Sequence, residues 1–161
     1  MKVPVQTSSM EMKLCEPLKF MERGRKSELS ADIWKQLMKL IVQAQTALEK
    51  GENIGGRIGE IGEVYAEAKL GLKRHRRHAQ GSDGTLRNEF VEVKTISPWK
   101  KKPVVRVKRA GHWSKLVIVR ISARWIFELE ILDRKQLGSG CGGKYASVSW
   151  KKGKQVAAQK A

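Results

Sequence analysis

The spacing of apolar residues changes once along this chain. From residue 30 to about 72 they recur at helical intervals, and beyond Gly71 they alternate at period two. In SELSADIWKQLMKLIVQAQTALEKG, the residues Trp34, Leu37, Ile41, Ala44 and Leu48 form one stripe. Ser30 stands where an N-cap would, and Gly51 follows as a stop. The stripe must pack on the rest of the domain or on a second copy of the chain. A second helix is predicted from about Arg57 to Leu70, with Ile58, Ile61, Tyr65, Ala68 and Leu72 in register. Gly59 and Gly62 interrupt it, each disfavouring a helix by roughly 1 kcal/mol relative to alanine. Two such glycines point to close packing against a neighbour or close approach of a ligand.

After Gly71 comes KRHRRHAQGSDGT, polar, basic and rich in turn formers, and then a series of β patterns. These are NEFVEVKTI, PVVRVKR, SKLVIVRIS, RWIFELEIL and YASVSW, with DRKQL as a short helix between the last two. Helix, helix, then about five strands predicts an α+β or α/β domain. Residues 1–26 show no clean period, and 1–29 are expected to form a partly flexible arm. Residues 30–150 are expected to form one domain, with an additional helix over 30–51 and a core over 53–133. Residues 151–161 read as a basic tail. The chain of 161 residues is long enough for a substantial core.

Charge changes this picture more than composition does. Residues 1–72 hold 11 Lys/Arg against 10 Asp/Glu, whereas residues 73–161 hold 22 against 6. The net charge of +17 therefore lies almost wholly in the second half, which suggests a polyanion partner, nucleic acid before membrane. The alternative is a solvated basic surface. There is no apolar run of membrane-spanning length and no apolar signal core, so no membrane partner is expected. Cys15 and Cys141 have no pairing or metal-ligand spacing and read as reduced thiols, which predicts a cytoplasmic protein.

Candidate chemistry gathers in three places. Glu60 and Glu63 are three apart on the second helix and share a face. Asp83 lies in GSDG, at or near the start of a strand. Glu92 and Lys94 lie in FVEVKT, where strand alternation sends both to one face. If the strand after Asp83 pairs suitably with FVEVKT, Asp83 stands beside Glu92. Carboxylates so grouped suit a hard divalent cation, and a lysine beside them can orient water or stabilise charge on a phosphate. Against this, Glu92 and Lys94 can be a plain ion pair, and Glu60 and Glu63 an ordinary solvated helix face.

The motifs Gly56-Arg57-Ile58-Gly59-Glu60, Gly81-Ser82-Asp83-Gly84 and Phe90-Val91-Glu92-Val93-Lys94-Thr95, in that order, resemble the PD-(D/E)XK nuclease superfamily of restriction endonucleases and junction resolvases. The resemblance spans about residues 53–133. It implies a restriction endonuclease-like core, with a mixed central sheet flanked by helices and the 30–51 helix as an addition. It implies a nuclease hydrolysing DNA phosphodiesters with Mg2+ or Mn2+. Asp83 and Glu92 would be metal ligands, Lys94 the catalytic lysine, and Glu60 the supporting helix glutamate, with Glu63 its competitor. A nucleic-acid-binding protein of the same fold without activity is the alternative. Serine rather than proline precedes Asp83, and the family's helix after Lys94 has no counterpart in the Lys-rich stretch from Trp99 to Arg109. Arg74, Arg76, Arg77, Lys100, Lys101, Lys102, Arg106, Lys108, Arg109 and residues 151–154 are expected to hold the phosphate backbone. Nucleases of this kind often pair, so the first helix is a candidate homodimer element.

Some features are set aside. GSGCGGKYAS approaches a phosphate-binding loop, but Tyr145 replaces the Ser/Thr that would hold magnesium, and a strand follows it. His75 and His78 lack a third ligand. Trp113 reads as a loop residue packed on the core. Trp99 beside three lysines is either a base-stacking aromatic or a charged hairpin tip.

Overall fold

The computed structural model describes residues 28–76, 81–137 and 143–150. The expectations placed on residues 1–27, Arg77, His78, Cys15, Cys141, Gly138 and 151–161 lie outside the described residues. Helix α1 runs Glu28–Glu49 and α2 runs Gly55–Leu70. The strands are β1 Lys73–Arg74, β2 Gly84–Leu86, β3 Glu89–Ile96, β4 Val104–Lys108, β5 Lys115–Ile121, β6 Phe127–Asp133 and β7 Tyr145–Ser149. A 3₁₀ turn covers Arg134–Leu137.

The first helix starts at Glu28, so Ser30 lies within it rather than at its cap. Leu37, Ile41 and Ala44 are buried as the stripe requires, but the burial continues at Ala47, and Leu48 remains 37% exposed. The stripe packs on α2 within the same chain. Helix α2 buries Ile58, Ile61, Gly62, Val64 and Ala66, more than one stripe, because α1 lies on one side of it and β3 and β5 on the other. It ends at Gly71, whose φ of 72° is a left-handed conformation that L-residues with a Cβ enter at a cost.

Five strands form a mixed sheet in the order β1-β2-β3-β5-β6, with only β3 and β5 parallel. The β2–β3 hairpin turns on Arg87 and Asn88, both at positive φ, as a two-residue turn between twisted strands demands. The β5–β6 connection places Trp125 at φ 57°, so the strand expected over RWIFELEIL starts only at Phe127.

Strands β4 and β7 are not in this sheet. They pair with each other as a separate antiparallel pair. The stretch from Trp99 to Arg109 is therefore no hairpin; it leads into β4, which crosses the sheet between the parallel strands β3 and β5. Two cores result. Val91, Val93, Val117, Val119 and Ile121 face the helices, while Ile96, Leu116 and Ile118 meet Val105, Val107, Ala146 and Val148 of the second pair. Among the described residues, then, helices cover one face of the sheet and a β-pair covers the other. The apolar run along β5 is continuous because both of its faces are buried, whereas β3 alternates, with Val91 and Val93 buried and Glu92 and Lys94 only partly so.

The two interruptions of α2 have different causes. A Cβ on Gly62 would lie 1.9 Å from Thr95 Oγ1 on β3, whereas a Cβ on Gly59 would meet nothing within 4 Å. Gly62 thus sets the distance between helix and sheet. We expect Gly62→Ala to destabilise the protein by about 1–3 kcal/mol through overpacking. Gly59→Ala should be neutral or stabilising, by up to about 1 kcal/mol. Urea denaturation of both variants checks this, and equal effects would contradict the packing argument.

Candidate active site

The site is built where the sheet leaves an edge open. β2 pairs only with Glu89–Val91, so from Glu92 onward β3 has a strand neighbour on one side only, β5. The Asp83 amide donates to the Val91 carbonyl, one residue out of step with the Gly84–Val91 pairing. The ladder ends there, and the Asp83 side chain takes over. Its Oδ2 accepts from the Val93 amide at 2.7 Å, satisfying a buried donor that β2 no longer reaches. This fixes the Asp83 carboxylate against β3.

Past this edge opens a cleft of about 600 Å³, between the end of α1, the first turns of α2, and the β3 edge with its following turn. Asp83, Lys94 and Glu63 all line it. Lys94 shares its strand face with Glu92 and reaches the cleft past the open edge. Its ammonium is held by Glu92 Oε1 at 2.5 Å, and both side chains are partly buried. Glu63 comes from the opposite layer. Helical side chains lean toward the helix N-terminus, and the residue one turn before Glu63 is Gly59, which puts nothing in the way. The Gly62–Thr95 contact draws this turn of α2 onto β3. Gly62 thus helps to set the position of the Glu63 carboxyl.

Glu63 is held above the ordinary carboxyl range. Burial is the main cause, and the Asp83 and Glu60 carboxylates add to it, against Arg74 and Lys94, which act the other way. The negative charges therefore repel within the cleft, and a cation would relieve that repulsion.

The expected site residues are only partly brought together. Asp83 and Lys94 line the cleft, Glu92 enters only through its bond to Lys94, and Glu60 does not line it. The helix glutamate on the cleft is Glu63. Among the described residues no three His, Cys, Asp or Glu side chains are grouped as a ready metal cage. Magnesium does not require one, since it is commonly bound through one or two carboxylates with water completing its shell. Asp83 and Glu63, both oxygen donors in a solvent-reached cleft, fit such an ion.

Of the basic residues, Lys100, Lys101 and Lys102 are exposed in the turn after β3, and Arg76 is exposed beyond β1. Arg106 and Lys108 project from the outer face of β4, with Arg106 stacked over Tyr145 at 4.9 Å. Arg74 is engaged inside the fold, its guanidinium paired with Glu67 and reaching Gln36. Arg109 is half-buried. Trp113 is a core residue, covered by the Arg134 guanidinium at 4.6 Å. Arg134 also donates to the Gly111 and Trp113 carbonyls, locking the loop before β5. Sequence reasoning did not single out Arg134, and its place after a strand carries no local signal of that role. Among the described residues no helix is long and apolar enough to cross a membrane.

No protein-family model and no curated protein sequence matches this chain.

Proposed function

We propose that this chain is a metal-dependent nuclease acting on DNA, on a restriction endonuclease-like core of the PD-(D/E)XK kind. The observation that carries this reading is the convergence of Glu63, Asp83 and Lys94, from three separate segments, on one cleft beside a strongly basic half of the chain. The order of parts also supports it: a glutamate helix packed on the sheet, an aspartate before a hairpin strand, and Glu-x-Lys on the next strand. One departure is that β4, not a helix, connects β3 to its parallel neighbour.

Mg2+ or Mn2+, when bound, would acidify water and neutralise a phosphate. Asp83 would hold it, and Glu63 would face one of its waters. Asp83 is pre-positioned by the Val93 amide. Glu63, with its affinity for protons raised by burial, is suited to accept one from an attacking water. Lys94, oriented by Glu92, would stabilise charge on the phosphate oxygens. The exposed lysines after β3 and Arg106 and Lys108 would grip the backbone, a term that weakens steeply with salt.

A second reading, a DNA-binding protein without activity, is favoured by one observation. Asp83 and Lys94 each have a partner in the fold, the Val93 amide and the Glu92 carboxylate. Cleavage assays on linear, supercoiled and branched DNA separate the two. The nuclease reading expects cutting with magnesium or manganese, none in EDTA, and a loss on the order of 10³-fold in Lys94→Ala with DNA still bound. Binding that is equal in EDTA and in Lys94→Ala, with no cutting by the wild type, would leave the binder.

A further inference from the structure

We infer that the cleft takes an unpaired nucleotide, so that the substrate is single-stranded DNA or an unpaired segment of a larger DNA. This rests on the nucleic-acid reading of the cleft and goes beyond it by naming the substrate class.

The two ends of the cleft differ in chemistry. One end holds Glu63, Asp83 and Lys94, suited to a phosphate and its cation. The rest of the lining carries the larger apolar side chains, Leu48 at the end of α1, Ile54 and Ile58 at the start of α2, and Trp99 after β3, with Glu52 and Asn53 beside them. Ile58 and Glu63 are five residues apart on α2, which separates them by roughly 7–8 Å along the helix axis. That is the scale of one nucleotide from phosphate to base. The occupant that matches both ends has an anionic group at one side and a flat apolar face at the other.

Trp99 decides between a paired and an unpaired base. It is 51% exposed, although it lines a cleft and belongs to the largest apolar side-chain type. Leu48, also on the cleft, is 37% exposed. In a duplex both faces of every internal base are covered by its neighbours. An aromatic wall can stack only on a base that has left the stack or never entered it. The volume of about 600 Å³ leaves room for one nucleotide. Lys100, next to Trp99 and also on the cleft, supplies a cation for the adjoining phosphate. A base against Trp99 with its phosphate toward Asp83 accounts for the apolar wall and the charged floor together.

The test measures binding in EDTA, so it does not depend on cleavage. Fluorescence anisotropy compares a short labelled single strand, the same strand carrying abasic sites, and the blunt duplex. The full chain is compared with Trp99→Ala and Trp99→Phe. We expect the wild type to bind the single strand more tightly than the duplex. Trp99→Ala should lose about 10-fold for the single strand, with Trp99→Phe recovering most of it. The abasic strand should bind wild type and Trp99→Ala alike, which a merely structural role for Trp99 does not predict. Equal losses on single strand, duplex and abasic strand overturn the inference, as does a wild type that prefers duplex. If the preference holds and no DNA is ever cut, the inference stands and the hydrolytic reading falls.

Discussion

Asp83→Asn is expected to leave the protein folded while lowering DNA cleavage on the order of 10³-fold, as removal of a charge aimed at the reacting phosphate does. The asparagine Oδ1 can still accept from the Val93 amide, so the end of the β2–β3 ladder is preserved. Asp83→Ala removes that acceptor. Val93 is 5% exposed and lies beyond the β2 pairing, which ends at Val91, and its amide donates to Asp83. Leaving a buried donor unsatisfied costs about 1–3 kcal/mol. The alanine variant should therefore lose both stability and activity, and the asparagine variant activity alone. Denaturant melts and cleavage rates on the same preparations separate the two roles of one side chain. An asparagine variant that cuts at the wild-type rate would reduce Asp83 to a substitute for a ladder carbonyl.

Glu63→Gln is the second. Cleavage should fall on the order of 10²-fold if this carboxyl handles the proton of an attacking water. Glu60→Gln, whose carboxylate does not line the cleft, should lose far less. Stability should move the other way. Well below the ordinary value of 4.5, Glu63 is protonated in the folded and unfolded chain alike, and it adds no pH-dependent term. As pH rises through that value, the unfolded chain gives up its proton while the folded chain, with the raised value, resists. Stability is therefore lost from about the ordinary value upward until the folded group has ionised as well. Glutamine carries no charge to bury beside Asp83. The variant should melt higher than wild type at pH 8, with the difference closing toward pH 4. Wild-type cleavage should rise with pH through the same window, and the Glu63→Gln rate should lose that rise. A variant that melts lower at pH 8, or that cuts as fast as wild type, would remove Glu63 from the site. Gain of stability with loss of function is the pattern of a residue kept under strain for chemistry.

The lysine pair belongs to the same logic. Lys94 is held by Glu92 from its own strand, a contact that period two makes possible by placing both on one face once β3 forms. The pair alone is therefore weak evidence for a site. Its weight comes from where it sits, on the one stretch of β3 that β2 does not cover.

Short-range physics made much of this legible in the chain. The α2 pattern stops at Gly71 because a left-handed residue closes the helix there. The alternation of FVEVKT marks β3, and GSDG marks the approach to β2. These depend on residues within a few positions of one another, so period and turn chemistry reveal them. The candidate chemistry was legible in part: Asp83, Glu92 and Lys94 stand out through their order and spacing along the chain, although each alone fits an ordinary turn or a half-exposed strand.

What only the tertiary structure decided are pairings between distant segments. Residues three apart on a helix share a face and are offset by only about 60°, so nothing local says which of Glu60 and Glu63 meets a cleft. That follows from Gly62 against Thr95, thirty-three positions away. PVVRVKR and YASVSW have strand patterns as good as any other, yet they form their own pair, because the face of the sheet opposite the helices needs an apolar cover. The stripe of α1 could serve a second copy or its own domain equally well by pattern, and it packs on α2. The capping of Val93 by Asp83 arises where the ladder slips by one residue, and an open edge is a property of pairing, not of any strand taken alone. Local sequence determines which elements exist; which faces and edges are left open is settled only when distant elements pack.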